Sequence, residues 1–175
     1  LCNCFARPTA MLERVLVAER RSPQITTRSG LWITPYYTFS DAIQADILIV
    51  PGGLGARHEY KNAVMLDFIR EQANKAEIVL SICTGALLLG AVGLLDGLSA
   101  TTHHGAFDEL AAVAPTCNII QGQRYVDNGK IVTSAGITAG IDAALHVVQR
   151  LHGPEIARET ATHMEYVWSP VEEPL

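Results

Sequence analysis

The run "EIVLSICTGALLLG", residues 77–90, decides the fold: branched apolar residues stop at one cysteine, turn on a glycine and resume as an apolar helix. A continuous apolar run bounded by a turn suits a strand buried on both faces, as in a parallel sheet covered by helices. Upstream, "ADILIVPGG" (45–53) has the same design, a central parallel strand running into a glycine turn. Between the two, Met65, Phe68, Ile69 and Ala73 recur at helical spacing over 62–75. "RVLVA" (14–18) predicts a further buried strand, and "QITTRSGLWITPYYTF" (24–39) a short antiparallel excursion around Ser29-Gly30.

Downstream, "LSATTHH" (98–104) reads as a shorter strand ending at two histidines. "QRYVDNGKIVTSAG" (123–136) predicts a hairpin on Asn128-Gly129, with both turn residues expected at positive φ. Ile141, Leu145, Val148 and Leu151 share one side of a helix over 139–151, and a last helix runs from Pro154, suited to a first turn, to about Met164. Segments 54–60, 103–108 and 164–170 are read as loops that shape a pocket. Strands alternating with helices predict an α/β chain, a doubly wound three-layer sandwich with a mostly parallel sheet, in one domain over 1–175.

Composition narrows the function. The 175 residues are 49% hydrophobic with a formal charge of -5, and no Lys/Arg cluster offers a nucleic-acid surface. No apolar stretch reaches the roughly 20 residues that span a bilayer, and the first residues lack the apolar core of a signal peptide. Four cysteines, Cys2, Cys4, Cys83 and Cys117, have neither metal-ligand spacing nor the density of a disulfide scaffold. They read as reduced thiols in a cytoplasmic protein without metal or organic cofactor. "GGLG" (52–55) lacks the third glycine and helix register of a dinucleotide fingerprint.

The corner at Cys83 carries the chemistry. A side chain at a sharp strand-to-helix turn stands at the carboxyl end of the sheet, where open α/β sheets bind ligands. There the unpaired N–H groups of a helix start favour an anion such as a thiolate. Gly85 lets the turn pack closely, and the N–H of Thr84 points where an oxyanion would develop. The plain alternative is that Cys83 is a small buried hydrophobe; the strand–turn–helix setting favours the reactive reading.

These residues carry a resemblance. "DILIVPGG", "SICTGALLLGAVGLLDGLSATTHH" and "IVTSAGITAGIDAALHVV" resemble, in order and with matching gaps from about Ala45 to Tyr166, the ThiJ/PfpI family, a branch of the class I glutamine-amidotransferase-like superfamily. The resemblance implies a flavodoxin-like sandwich with a cysteine nucleophile elbow. Thr84 stands where PfpI-like peptidases have a histidine, which argues against a neighbouring Cys-His dyad. With "TTH" and "GITAGID" it points instead to the isocyanide hydratase branch and to the sensor domains of AraC-type regulators. Carried over, Cys83 is the nucleophile, and the backbone N–H groups of Gly53 and Thr84 form the oxyanion hole. The Thr84 hydroxyl lies near substrate and His103 near the thiol, while Gly52 and Asp142 are supporting. Each has an ordinary alternative: a turn for the glycines, a loop tie for His103, a helix cap for Asp142. His104 reads as a rim residue and His146 as packing.

The family's enzymes keep an acidic residue just after a first strand. The chain opens at "LCNCFARPTAMLER", roughly where the following helix belongs, so that strand and acid are expected upstream of Leu1 or lacking, and Glu13 is no evident substitute. The activity implied is hydration of an isocyanide to an N-substituted formamide. A glyoxalase or deglycase acting on 2-oxoaldehydes would use the same thiolate, and a non-catalytic sensor or cysteine redox sensor is the other class. The partners implied are a small electrophile and a second copy of the chain, with Trp32 and Tyr36 of "LWITPYY" offering contact surface.

Overall fold

The computed structural model describes residues 13–21, 24–27 and 29–169. Its centre is a four-stranded sheet of β5 (Ile47–Val50), β6 (Ile78–Ser81), β10 (Ile131–Ser134) and β9 (Tyr125–Asp127), in that order. β5, β6 and β10 run parallel, and β9 is the antiparallel return of a hairpin with β10. Three two-stranded pairs flank it: β1 (Val17–Ala18) parallel with β4 (Tyr37–Thr38), β2 (Ile25–Thr26) antiparallel with β3 (Trp32–Ile33), and β7 (Ser99–Ala100) parallel with β8 (Asn118–Ile119).

Alternation along the buried strands sorts the core into two layers. Val50, Val79 and Ile131 pack on one side with Ile69 and Ala73 of α2 (Ala63–Lys75), Leu87 and Leu89 of α3 (Ala86–Ala91) and Leu110 of α4 (Phe107–Val113). Ile78, Leu80 and Val132 face the other way, onto Ala144, Leu145 and Val148 of α5 (Ala139–His152) and Ala157 of α6 (Pro154–His163). The expected three-layer α/β sandwich with a mainly parallel sheet is therefore observed, with α2, α3, α5 and α6 where the sequence pattern put them. Asn62 caps α2 by accepting from the N–H groups of Val64 and Met65, and Pro154 opens α6.

Several local expectations need correction. β5 is not central among the described strands: it is paired on one side by β6, and Ile49 is 37% exposed. In 14–18 only Val17–Ala18 is strand, with Leu16 48% exposed, because its partner β4 is itself two residues long. In the hairpin, Gly129 takes positive φ and Asn128 does not. The Asn128 side chain instead binds β7, accepting from Ser99 N–H at 3.3 Å and donating to Ser99 C=O at 2.8 Å, while Asp127 receives the Gly129 N–H. Segments 54–60 and 103–108 are partly helical, holding α1 (Ala56–Glu59) and the start of α4. Cys2 and Cys4 lie outside the described residues.

Candidate functional site

β6 ends at Ser81, and residues Cys83–Gly85 form one tight helical turn before α3. Cys83 sits at that corner with φ 56°, a left-handed backbone that glycine takes freely and other residues adopt at a cost of about 1–2 kcal/mol. Close packing around it explains why the strain persists. A Cβ on Gly85 would lie 2.2 Å from the Val50 carbonyl oxygen, and one on Gly52 would lie 2.5 Å from that of Ile82 and 2.6 Å from Thr84 N. Only bare backbone at both positions lets the "PGG" loop and the turn meet.

Two hydrogen bonds lock that meeting. Gly53 N–H donates to Thr84 Oγ1 at 2.8 Å, and the Thr84 hydroxyl donates to the Gly53 carbonyl at 3.0 Å. Behind the corner, the Thr102 hydroxyl donates to the Cys83 carbonyl at 2.9 Å. The Cys83 side chain is half-buried, within reach of a small reagent.

The other residues singled out from sequence fall into separate contacts. His103 follows Thr102; its Nδ1 accepts from Gly105 N–H at 3.1 Å, which leaves the proton of the neutral ring on Nε2. That ring packs on Gly136, where a Cβ would lie 2.5 Å from it, and on the exposed His104 at 4.3 Å between centroids. Asp142 does not cap α5: it is buried, accepting from Arg124 Nε and, at 3.0 Å, from the Tyr166 hydroxyl. Burial and that bond push the Tyr166 phenol above its usual range. His146 is also more than packing, bonded to Asp127 at 2.6 Å and stacked on Tyr125. A cavity of about 420 Å³ opens beside His103, lined by residues including Thr101, Phe107, Gln123, Arg124 and Ile137, and Cys83 is not among its lining residues.

Sequence reasoning missed one pair near the corner. Arg57, on α1 just after the "PGG" loop, donates from Nε at 3.0 Å and Nη2 at 2.7 Å to Glu109 Oε1, in the first turn of α4. The bridge ties the loop on one side of Cys83 to the segment following Thr102–His103 on the other. The Glu109 hydrogen bond does most to raise the basicity of Arg57, burial opposes it, and the charge of an ionised Cys83 adds to it. Glu13 is exposed.

Residues 5–150 match the DJ-1/PfpI family over most of the chain. The protein belongs to that family. Among DJ-1/PfpI relatives it is 43% identical over 147 residues to an isonitrile hydratase from Pseudomonas putida, covering 83% of this chain and 63% of that protein. The transcriptional regulator GbdR of Pseudomonas aeruginosa is 30% identical over 134 residues, 77% of this chain and 36% of the regulator. A crystal structure of a ThiJ/PfpI family protein from Pseudomonas syringae superposes with a TM-score of 0.80 at 33% identity, over 89% of this chain and 64% of that one. Drosophila melanogaster DJ-1beta shares the fold with a TM-score of 0.71 at 22% identity, over 83% of this chain and 78% of that one. The chain thus spans under two thirds of the length of the hydratase it resembles. Among the described residues no helix is long and apolar enough to cross a membrane, and no three His, Cys, Asp or Glu side chains are grouped to hold a metal ion.

Proposed function

We propose that the protein is a cysteine-dependent enzyme that hydrates an isocyanide to an N-substituted formamide, with Cys83 as nucleophile. The observation that carries the reading is the left-handed Cys83 at the strand–helix corner, held by the Gly53–Thr84 exchange and by Thr102. Strain kept at one reactive side chain by surrounding hydrogen bonds is a feature of functional sites. The 43% identity to an isonitrile hydratase supplies the reaction class.

In the proposed sequence the Cys83 thiolate attacks the terminal carbon of R–N≡C, forming a C–S bond, and a proton added to that carbon gives the thioimidate R–N=CH–S. Water adds to the same carbon, a proton moves to nitrogen, the C–S bond breaks and R–NH–CHO leaves with the thiolate restored. Covalent catalysis divides one difficult addition into two easier ones. The Gly53 N–H is already taken by Thr84 Oγ1, so negative charge in the second step falls to the N–H of Thr84, in the first turn of its helical stretch where the backbone offers no internal partner. Water supplies the proton added to carbon, and its hydroxide is the group that adds in the second step. His103, whose Nδ1 is taken by Gly105 N–H, offers Nε2–H as a hydrogen-bond donor in this reading. Asp142 acts through Arg124 and Tyr166 as a scaffold.

A second reading rests on the likeness to GbdR and CdhR, regulators 30% and 32% identical to this chain, in which the same corner would sense a ligand without turnover. A second copy of the chain is the proposed partner, and the exposed Leu31, Trp32 and Tyr36 would supply its contact. The test is formamide release from two simple isocyanides, one neutral and one carrying a carboxylate, by the wild type and by Cys83→Ser, with methylglyoxal alongside. Turnover of either isocyanide lost in the variant supports the hydratase; consumption of methylglyoxal alone, or of none of the three compounds, rejects it.

A further inference from the structure

The Arg57–Glu109 bridge has no part in the chemistry above, yet one of its anchors packs against the turn that carries Cys83. Its first anchor, α1, packs against the Cys83–Gly85 turn and α3, and Ala56 N–H is bonded to the carbonyl of Gly53, the residue locked to Thr84. Its second anchor, Glu109, follows the segment whose Thr102 holds the Cys83 carbonyl. A structural ion pair this exposed, with side chains 33% and 39% accessible, contributes little to stability. The geometry is also lopsided. Both bonds end on Glu109 Oε1, and a guanidinium has five N–H donors, so three remain for another acceptor.

We infer that Arg57 is the receptor for a carboxylate carried by the electrophile that reaches Cys83, so that the substrate class is a small anionic electrophile. Glu109 holds the fork with its unused N–H edge available and keeps the site from binding every passing anion. This deepens the proposed function and rests on Cys83 being the reactive group. The electrostatic coupling between Arg57 and Cys83 agrees with the placement. A carboxylate on one end of a short molecule and an electrophilic carbon on the other would be aligned by one charge-assisted bond at Arg57 and attack at the corner.

The experiment uses two alkylating reagents of similar size and different charge, iodoacetate and iodoacetamide, with intrinsic reactivity cancelled by comparing each variant with the wild type, and needs no knowledge of the true substrate. Rates are read peptide by peptide with mass spectrometry. Cys117, whose thiol burial and the nearby Asp96 push above its usual range, is the internal reference. The iodoacetate-to-iodoacetamide ratio at Cys83 is expected to fall roughly three- to tenfold in Arg57→Gln, as loss of one partly exposed charge-assisted bond would give. In Glu109→Gln, which keeps the guanidinium and removes its competitor, the ratio should rise. Loosening of the loop would change both reagents together and leave the ratio alone. A ratio unchanged in Arg57→Gln, or shifting the same way in both variants, overturns the inference. A Cys83 that reacts with iodoacetamide no faster than Cys117 counts against the nucleophile itself, which separates failure of the function from failure of the receptor.

Discussion

The backbone of Cys83 gives a sharp prediction, because glycine and alanine should exchange their usual order there. At an ordinary helix or strand position, replacing alanine by glycine loses about 0.5–1 kcal/mol, mainly through the greater freedom of the unfolded chain. At φ 56° an L-residue carries about 1–2 kcal/mol of steric cost that glycine escapes. Setting the two against each other leaves Cys83→Gly more stable than Cys83→Ala by about 1 kcal/mol. Neither variant has a thiol, so loss of chemistry and of the sulfur's contacts cancels in the comparison. For a chain of this size the difference is about 2–4 °C in Tm. Urea unfolding of both variants, followed by tryptophan fluorescence, measures it, with equal m-values required for the comparison. A Cys83→Ala protein that equals or exceeds Cys83→Gly would refute the strained corner and remove the main support for a nucleophile there.

Thr84→Val should leave Gly53 with an unpaired N–H and carbonyl and destabilise the fold by about 1–3 kcal/mol, with Thr84→Ser restoring most of it; the same unfolding curves read both. On the opposite end of the sheet, burial pushes the Asp127 carboxyl up, but hydrogen bonds from His146 and Gly129 and the charge of Arg150 outweigh it and hold it below its usual 3.8. A depressed carboxyl contributes stability that is present above its unfolded value and lost as pH falls through the folded one. Stability should therefore drop as pH falls from about 5 towards 2, and Asp127→Asn should flatten that limb; an unaltered slope would mean that other carboxylates carry it.

What could be read in the sequence follows from the range of the forces involved. Strand β6 was legible because burial on both faces leaves an unbroken apolar run, β10 because it follows the Asn128-Gly129 turn, and helices α2 and α5 because each repeats one apolar spacing over several turns. Strand β8 was not, because nothing periodic fits in two residues, and of the run 14–18 read as a strand only the two residues of β1 find a partner, in β4. The Asn128-Gly129 signal gave the hairpin but the wrong reason for the asparagine, whose side chain serves β7, 29 residues away. Asp142 looked like a cap because it stands in a first turn, but Arg124 and Tyr166 claim it, 18 and 24 residues distant. Arg57 and Glu109, 52 residues apart, carry no local signal.

That division bears on function. The corner itself, "PGG" with "SICTG", is built from short-range necessities: two glycines that admit no Cβ, one threonine that binds the facing loop, one residue bent to positive φ. An isonitrile hydratase, transcriptional regulators and DJ-1 proteins all resemble this chain, and the turn that places the Cys83 thiol does not by itself set what reaches it. Selectivity must come from groups that arrive at the corner from elsewhere in the chain, where substitution leaves the turn intact. Arg57, brought by the loop after β5 and aimed by a carboxylate from α4, is such a group. An arginine in that place favours anionic electrophiles, and its replacement by a neutral residue would redirect the same nucleophile towards neutral ones without altering the fold.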